Sequence, residues 1–378
     1  MTHPAPKTGT KAVVRKIGDT AKPIASFSIR YVQYLNAQAE IVRDLPAFAA
    51  DDAELLDTYR SMLLLRRFDH KVLMLHRTGK IGTYPGTLGQ EAVGIGMAQC
   101  LKDDDIFVPY YRSAADLYIR GGRLSEVLGF WIGDERAMNF QNPKLKRDLP
   151  IPICIASQMP HAAGVATTIK LRKEKNRAVL TAIGDGGTSE GDFYEAVNVT
   201  GAWHLPLVIV INNNRWALTE PNTSQSGCQT LAQKAIAGGF EGIQVDGNDV
   251  IAVRATVGEA MEKARSGGGP TLIEAVTYRL CAHTTIDNKE RYVDPAELEK
   301  ASSEEPLIRL RALLRERGAL NDDIESQMED DIKQEIDAEI NAVLTMPPQA
   351  PEDIFDYLYA ELPEKLHSQR QEVIDREK

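Results

Sequence analysis

The sequence predicts an α/β fold, with a mostly parallel sheet, helices on both faces and a helical C-terminal region. Four short apolar runs indicate strands, at 178–183, 207–211, 242–247 and 271–278. Stretches with helical spacing separate them, at 189–203, 230–238 and 249–266. Strands that alternate with helices are joined by right-handed crossovers, and such crossovers make the sheet parallel.

Composition restricts the class of protein. The chain has 378 residues, enough for one large α/β domain or two smaller ones, and 44 Lys and Arg against 54 Asp and Glu give a net charge of −10. Without a local basic patch, this balance argues against nucleic-acid binding. The sequence contains no run of about 18 apolar residues, which is the length needed to span a membrane, so we expect no transmembrane helix. The four cysteines lack CxxC spacing, so we expect neither a zinc site nor a disulfide framework, and we expect a cytoplasmic protein.

Residues 1–50 are predicted to form an extended N-terminal arm, with a possible strand at 21–29. Such an arm either wraps a neighbouring subunit or frays. Residues 51–378 are predicted to form the α/β domain. Its first helix covers 52–77, where apolar residues recur with helical spacing and Asp51 or Asp52 can act as the N-cap.

From about residue 303 the chain becomes charged and helical. Apolar residues recur there at every fourth position, namely Ile324, Met328, Ile332, Ile336, Ile340 and Leu344. The favoured interpretation is an amphipathic helix packed on the domain with its charges solvated. A stripe that contacts a partner is the alternative.

The stretch AIGDGGTSEGD, residues 182–192, places Asp185 among glycines directly after a predicted strand. Ligands of open parallel sheets bind beyond the carboxyl ends of the strands, so Asp185 lies at the expected binding edge. Glycines permit a positive φ and let the backbone approach a bulky ligand. A helix starting near Ser189 would offer free N–H groups to a phosphate. Its inward face is predicted to be Phe193, Ala196, Val197, Thr200 and Trp203.

A run of asparagines, 212–214, ends the next predicted strand at the same edge of the sheet. A carboxylate, an amide oxygen and a backbone carbonyl that converge there would suit Mg²⁺, which binds phosphate oxygens with its remaining positions. An isolated turn aspartate is the competing interpretation. The spacing of a nucleotide-binding GxGxxG is not met, and a P-loop GK[ST] does not follow these glycines.

With these motifs the sequence resembles the thiamine-diphosphate enzymes, and more narrowly the α subunit of the first, decarboxylating component of 2-oxo acid dehydrogenase complexes. The resemblance runs from about residue 50 to the C-terminus, and residues 230–249 are most similar to the bacterial pyruvate type. It rests on six motifs in family order: GQEAVGIGMA (89–98), FVPYYR (107–112), IASQMPHAAGVA (155–166), GDGGTSEGDFYEAVN (184–198), NNNRWALT (212–219) and YRLCAHTT (278–285).

The resemblance implies a role for each matched residue, and thiamine diphosphate with Mg²⁺ as cofactors. The implied metal ligands are the side chains of Asp185 and Asn214 and the carbonyl of Trp216. The diphosphate would be bound by Tyr111, Arg112, Arg279, Gly186 and Gly187. The aminopyrimidine would meet the backbone at Ile153 and Ile155, and Leu218 would support the bent cofactor.

His283 is the implied catalytic residue and also belongs to the implied cofactor-binding set. Its implied role is proton transfer and orientation while an acyl group passes to a lipoyl arm, a task suited to a pKa near neutrality. The chain departs from the family pattern around it, with LCAH before the histidine and ERYV after it. Thr83 stands where relatives often have an aromatic residue near the substrate, which leaves substrate preference open.

The resemblance also implies partners. A separate β subunit would supply the glutamate that faces the aminopyrimidine, which predicts an α₂β₂ assembly, and a lipoyl-bearing acyltransferase component would receive the acyl group. Pyruvate is the first expected substrate and branched-chain 2-oxo acids such as 3-methyl-2-oxobutanoate are the alternative. A nicotinamide (NAD-dependent) dehydrogenase and a non-catalytic scaffold subunit are the candidates from other classes.

Overall fold

The computed structural model describes residues 24–376. Its strands are β1 (Arg30–Val32), β2 (Ile106–Val108), β3 (Val179–Gly184), β4 (Leu207–Asn213), β5 (Trp216–Ala217), β6 (Glu220–Pro221), β7 (Glu241–Asp246) and β8 (Thr271–Val276). Its α-helices are α1 (Asp52–Arg77), α2 (Glu91–Ala98), α3 (Ala114–Arg120), α4 (Leu124–Trp131), α5 (Gln158–Leu171), α6 (Gly191–Ala202), α7 (Asn222–Gln225), α8 (Lys234–Gly238), α9 (Val250–Arg265), α10 (Pro295–Ser303), α11 (Pro306–Glu316), α12 (Asp322–Leu344), α13 (Asp353–Asp356) and α14 (Glu364–Arg376).

Six strands form one parallel sheet in the order β1-β7-β8-β4-β3-β2, which confirms the predicted fold class. The four predicted strands are present, with ends shifted by no more than two residues. β5 and β6 make a separate antiparallel ribbon. The strand predicted at 21–29 is misplaced: residues 24–29 are not a strand, and β1 follows them as an edge strand. Residues 1–23, which include the first three residues of that predicted strand and nearly half of the predicted arm, lie outside the described residues.

The sheet carries helices on both faces, because side chains on successive strand residues point in opposite directions. In β4, Val208 and Val210 join a buried cluster with apolar residues of α1, α2 and α9. Ile209 and Ile211 face the other way and pack with residues of α5, α6 and α8. Both faces of β4 are therefore buried, as expected for a strand near the middle of a parallel sheet.

Two predicted helices show how the sequence sets their limits. Asp51 caps α1 by accepting hydrogen bonds from the backbone N–H groups of Ala53 (2.9 Å) and Glu54 (3.3 Å), which confirms the predicted start. In α12 the middle of the predicted stripe is buried against α1 and α4, whereas its end residues Ile324 and Leu344 are exposed. This confirms an amphipathic helix that packs on the domain.

Within residues 24–376, no helix combines the length and the apolar character needed to cross a membrane.

Candidate functional site

The candidate site lies where three neighbouring strands end. β3 and β4 are in register with Gly184 beside Asn212, and β4 and β8 with Asn213 beside Val276. The chain after β8 stays close to the asparagine run, since the N–H of Arg279 donates to the carbonyl of Asn214 (3.3 Å). The loops that carry Asp185, Asn214 and Arg279 therefore start side by side. The sequence predicted this for the first two loops.

Asp185 is buried, with 3% of its surface exposed, and its Oδ2 has no hydrogen-bond partner among the described residues. Burial raises the pKa of this carboxyl to about 6, and the N–H of Gly186 and the charges of Arg279 and Arg112 act against that rise. A buried carboxylate oxygen with free lone pairs is suited to binding a cation.

The glycines around Asp185 matter for the room that a missing side chain leaves, and not for a positive φ. None of Gly184, Gly186, Gly187 and Gly191 has a positive φ, so that part of the sequence interpretation is wrong. A Cβ on Gly186 would lie 2.4 Å from the Cβ of Ala217, and one on Gly187 would lie 2.7 Å from a side-chain carbon of β3. At Gly184 and Gly191 no atom of residues 24–376 lies within 4 Å of such a Cβ, which leaves open space on either side of the loop.

The helix after Asp185 begins later than predicted. Residues Gly186–Ser189 form a 3-10 turn, and α6 starts at Gly191 instead of near Ser189. Four residues of the predicted inward face are buried, namely Phe193, Ala196, Val197 and Thr200. Trp203 was predicted wrongly: it is 51% exposed because it follows the last residue of the helix as its C-cap.

Asn214 is buried, and both the oxygen and the nitrogen of its side-chain amide make hydrogen bonds. Its Oδ1 accepts the N–H of Trp216 (3.1 Å), and its Nδ2 donates to Oε1 of Gln90 (2.8 Å). The carbonyl oxygen has two lone pairs, so one remains available after the Trp216 bond. The carbonyl of Trp216 accepts a long hydrogen bond from Nη1 of Arg279 (3.4 Å).

Two buried guanidiniums converge on His283. Nη2 of Arg112 lies 3.4 Å and Nη1 of Arg279 lies 3.3 Å from Nδ1 of the histidine. A guanidinium can only donate, so Nδ1 is the acceptor and the neutral ring carries its proton on Nε2. Arg112 also donates to the carbonyls of Gly86 (2.5 Å) and His283 (3.2 Å), which fixes its position.

Burial, followed by the charges of Arg112 and Arg279, lowers the pKa of His283 to about 3, and Asp287 acts in the opposite direction. The expectation of a pKa near neutrality is therefore wrong for this arrangement. A second positive charge next to two guanidiniums is unfavourable, and the partly buried ring is poorly solvated.

Tyr111 belongs to the same group of side chains. Its ring centre lies 6.1 Å from that of His283, and the guanidinium of Arg112 lies 5.2 Å from the ring centre of Tyr111. Aromatic rings and guanidiniums attract each other at this distance. Tyr111, Arg112, Arg279 and His283 are thus brought together, although they come from two distant segments of the sequence.

Three residues that the resemblance implies as cofactor contacts are exposed, and two of them lie next to the site: Ile155 near Gly187 and Leu218 at Arg279. Ile153, Ile155 and Leu218 are 58%, 48% and 58% exposed, which is unusual for large apolar side chains. Leu218 has a φ of +54°, and its carbonyl accepts a 2.7 Å hydrogen bond from Arg279. A residue without glycine's freedom is held in this strained conformation by its surroundings, as is common at functional sites.

Sequence reasoning missed several buried polar residues behind this edge, including Gln90, Tyr110 and Asp116, and it did not show that Asn212 is buried among them. The signal available for Gln90 was its place at the start of an apolar helix within GQEAVGIGMA. In the part of the chain that is described, no group of three or more His, Cys, Asp and Glu side chains could hold a metal. A cation at Asp185 would therefore depend on amide and carbonyl oxygens as well.

Comparison of the sequence with known proteins identifies the family of the chain. Residues 59–352 match the family model described as "Dehydrogenase E1 component". The chain belongs to this family, and it is an oxidoreductase of the 2-oxo acid dehydrogenase class.

Its relatives narrow the similarity to one kind of subunit. The pyruvate dehydrogenase E1 component subunit alpha of Bacillus cereus is 35% identical over 363 residues, covering 96% of this chain and 97% of the relative. The protein of the same name from Acholeplasma laidlawii is 38% identical, covering 84% and 92%. That of Bacillus subtilis (strain 168) is 36% identical, covering 89% and 90%.

Proposed function

We propose that this chain is the alpha subunit of a pyruvate dehydrogenase E1 component. It would take part in the oxidative decarboxylation of pyruvate, with transfer of the acyl group to a lipoyl group. The observation that carries the proposal is the buried Oδ2 of Asp185, which has no hydrogen-bond partner among the described residues. It lies on the loop after β3, next to the strand that leads to Asn214, at an edge that also holds two buried guanidiniums. The names of the relatives support pyruvate as the substrate.

The proposed metal is Mg²⁺, bound by the side chains of Asp185 and Asn214 and by the carbonyl of Trp216. All three are hard oxygen donors, and Mg²⁺ prefers a few such ligands together with phosphate oxygens and water. The residues fit this role because Oδ2 of Asp185 has no hydrogen-bond partner in the described part of the chain and Oδ1 of Asn214 keeps a free lone pair.

Arg112 and Arg279 are the proposed ligands of the diphosphate, with Tyr111 and the backbone at Gly186 and Gly187. Guanidiniums suit this task because they donate parallel hydrogen bonds to phosphate oxygens and keep their charge. Thiamine diphosphate, when bound, supplies the electron sink for decarboxylation, while these residues bind and orient it.

His283 would hold the proton near the reacting atoms. Its Nδ1 faces the two guanidiniums, so the proton that it can transfer is on Nε2. A diphosphate bound to the same guanidiniums offsets their charge, which raises the pKa of the imidazole toward the range useful for proton transfer.

We infer that a β subunit covers the opening of the site in an α₂β₂ assembly. Ile153, Ile155 and Leu218 are exposed apolar side chains, the last two next to the site, and a partner surface would bury them. The β subunit would bring the glutamate that faces the aminopyrimidine, and a lipoyl-bearing acyltransferase would approach the same opening. The four free cysteine thiols are consistent with a cytoplasmic location.

The test is calorimetric titration of the chain, assembled with its β subunit, with thiamine diphosphate in the presence and absence of Mg²⁺. We expect Mg²⁺ to raise the affinity at least tenfold and Asp185→Asn to remove that increase, because the amide does not supply the charge that the metal requires. Asp330→Asn, an exposed site on α12, is the matched control and should bind as the wild type does. Mg²⁺-dependent binding by Asp185→Asn would contradict the proposed site, and saturable binding of NAD⁺ instead would favour a nicotinamide enzyme.

Substrate preference needs a separate measurement. With a β chain and a lipoyl acceptor present, we expect kcat/KM to be higher for pyruvate than for 3-methyl-2-oxobutanoate. The reverse order would identify a branched-chain enzyme and leave the cofactor site unaffected.

A further inference from the structure

A small polar cavity lies behind the candidate site, under the ends of β3 and β4. Three of the side chains that line it are almost fully buried: Gln90, Asp116 and Asn212 are 2%, 1% and 4% exposed. Each has one atom without a hydrogen-bond partner among the described residues, namely Nε2 of Gln90, Oδ1 of Asp116 and Oδ1 of Asn212. Buried polar atoms are rarely left unpaired, so these three require a partner.

A chain of hydrogen bonds fixes the orientation of Gln90. The N–H of Trp216 needs an acceptor, so Oδ1 of Asn214 faces it (3.1 Å). The other end of that amide, Nδ2, must then donate, and it meets Oε1 of Gln90 (2.8 Å). The Nε2 of Gln90 is left as a donor at the cavity.

We propose that Gln90 is a positioning residue that holds the amide of Asn214 in the orientation needed to bind the metal. One ordered water in the cavity, bridging Gln90, Asp116 and Asn212, completes the network. The metal-binding half of this inference rests on the proposed function, whereas the water does not.

The hydrogen-bonding capacities match. A water molecule has two donors and two acceptor sites, so it can donate to Oδ1 of Asp116 and Oδ1 of Asn212 while it accepts from Nε2 of Gln90. The space open to the centre of a water molecule in this cavity is about 10 Å³, which is room for one. Burial also raises the pKa of Asp116 to about 8, so its carboxyl is mostly protonated at neutral pH and brings no uncompensated charge.

The test uses Gln90→Met, which keeps the length of the side chain and removes both its donor and its acceptor. Mn²⁺ replaces Mg²⁺ as the probe, and its affinity for the chain assembled with its β subunit and thiamine diphosphate is measured by electron paramagnetic resonance. We expect the affinity to fall about 10- to 100-fold, as is typical when the partner of a metal ligand is lost. Saturating Mn²⁺ should restore cofactor binding, and a purely structural defect would not respond in this way.

Two variants serve as comparisons. Gln99→Met makes the same change just beyond the other end of α2, where Gln99 bonds to Thr58 (2.9 Å), and should leave the affinity for Mn²⁺ unchanged. Gln90→Glu is the conservative replacement, because a protonated glutamic acid offers an acceptor to Asn214 and a donor to the cavity. Its affinity for Mn²⁺ should stay within about threefold of the wild type, a much smaller loss than expected when the hydrogen-bond partner of a metal ligand is removed.

Each result tests one part of the proposal. Wild-type affinity in Gln90→Met, or an equal loss in Gln99→Met, would overturn the positioning role and leave the proposed function intact. Absence of metal-dependent cofactor binding in the wild type would overturn the proposed function and the positioning role together. A high-resolution crystal structure of the wild type tests the network even if Gln90→Met does not fold. We expect a water bonded to all three side chains, and a dry cavity or a direct bond from Gln90 to Asn212 would contradict it.

Discussion

Replacing Arg112 by Met should raise the pKa of His283, because the guanidinium of Arg112 is one of two positive charges beside Nδ1. Nη2 of Arg112 lies 3.4 Å and Nη1 of Arg279 lies 3.3 Å from that nitrogen. The pKa is lowered from 6.5 to about 3, first by burial and then by these two charges. Removing one charge therefore recovers part of the difference but not all of it.

The size of the effect follows from Coulomb's law. Two unit charges 3.4 Å apart repel by about 1.2 kcal/mol even in a water-like dielectric, which corresponds to about one pH unit. A lower effective dielectric would enlarge it. We therefore expect the pKa of His283 to rise from about 3 to at least about 4 in Arg112→Met.

The assay is a nuclear magnetic resonance titration of ¹³C-labelled histidine. The chain has seven histidines, so a His283→Asn variant is needed to assign the signal. Arg112→Lys is the matched control, because it keeps the positive charge and should leave the pKa of His283 low. Thiamine diphosphate with Mg²⁺ should raise the wild-type pKa, since the anion offsets both guanidiniums. A wild-type pKa near 6.5 that is the same in Arg112→Met would refute this reasoning.

Three further outcomes are expected from the fold. Burial raises the pKa of Asp116 from 3.8 to about 8. The folded state therefore gains stability from the protonated carboxyl, in full at pH values below the pKa of this group in the unfolded chain, and loses that stability as the pH rises toward 8. In urea unfolding between pH 5 and 7.5, the wild type should lose about 1.4 kcal/mol per pH unit relative to Asp116→Asn; parallel pH curves would contradict the burial of a protonated acid. Ile336→Ala should cost about 2–5 kcal/mol of unfolding free energy, whereas Ile324→Ala, at the exposed end of the stripe, should cost less than about 1; equal losses would contradict the packing of α12. Gly186→Ala should lower the melting temperature, because its Cβ would lie 2.4 Å from an alanine Cβ of β5. Gly184→Ala should not lower it, because no described atom lies within 4 Å of the new Cβ. The reverse order would show that lack of room is not the reason for glycine at these positions.

The sequence was sufficient for the sheet and its binding edge because their signals are local. Buried parallel strands are continuous apolar runs, and β3 and β4 were predicted within two residues of their ends. Once two such strands are adjacent, the residues that follow them lie at one edge, and the register of Gly184 with Asn212 confirms this. The predicted helix at 52–77 was right because its cap and its apolar spacing agree.

Predictions failed where several segments act together. The pKa of His283 depends on two arginines, one of which is 171 residues away, and no local pattern reports that distance. Gly186 and Gly187 lie so close to β5 and β3 that a side chain would not fit, which sequence spacing does not show. Trp203 was assigned to the core by periodicity, which has no meaning beyond the end of the helix.

The polar cavity was missed for a related reason. Gln90 and Asp116 are ordinary polar residues in the sequence, and each taken alone is expected at the surface. Asn212 was predicted at the end of a strand, but without these neighbours. Only the fold shows that all three are buried around one small space. Burial, rather than residue type, is what makes them candidates for a role.

The central claim is that one divalent cation is held between the loops after β3 and β4. The most direct measurement is a crystal structure with thiamine diphosphate and Mn²⁺, in which anomalous scattering locates the metal. We predict a peak within about 2.5 Å of a carboxylate oxygen of Asp185 and of Oδ1 of Asn214, with the diphosphate on the same ion. A peak elsewhere, or a diphosphate bound without a metal at these two side chains, would contradict the account.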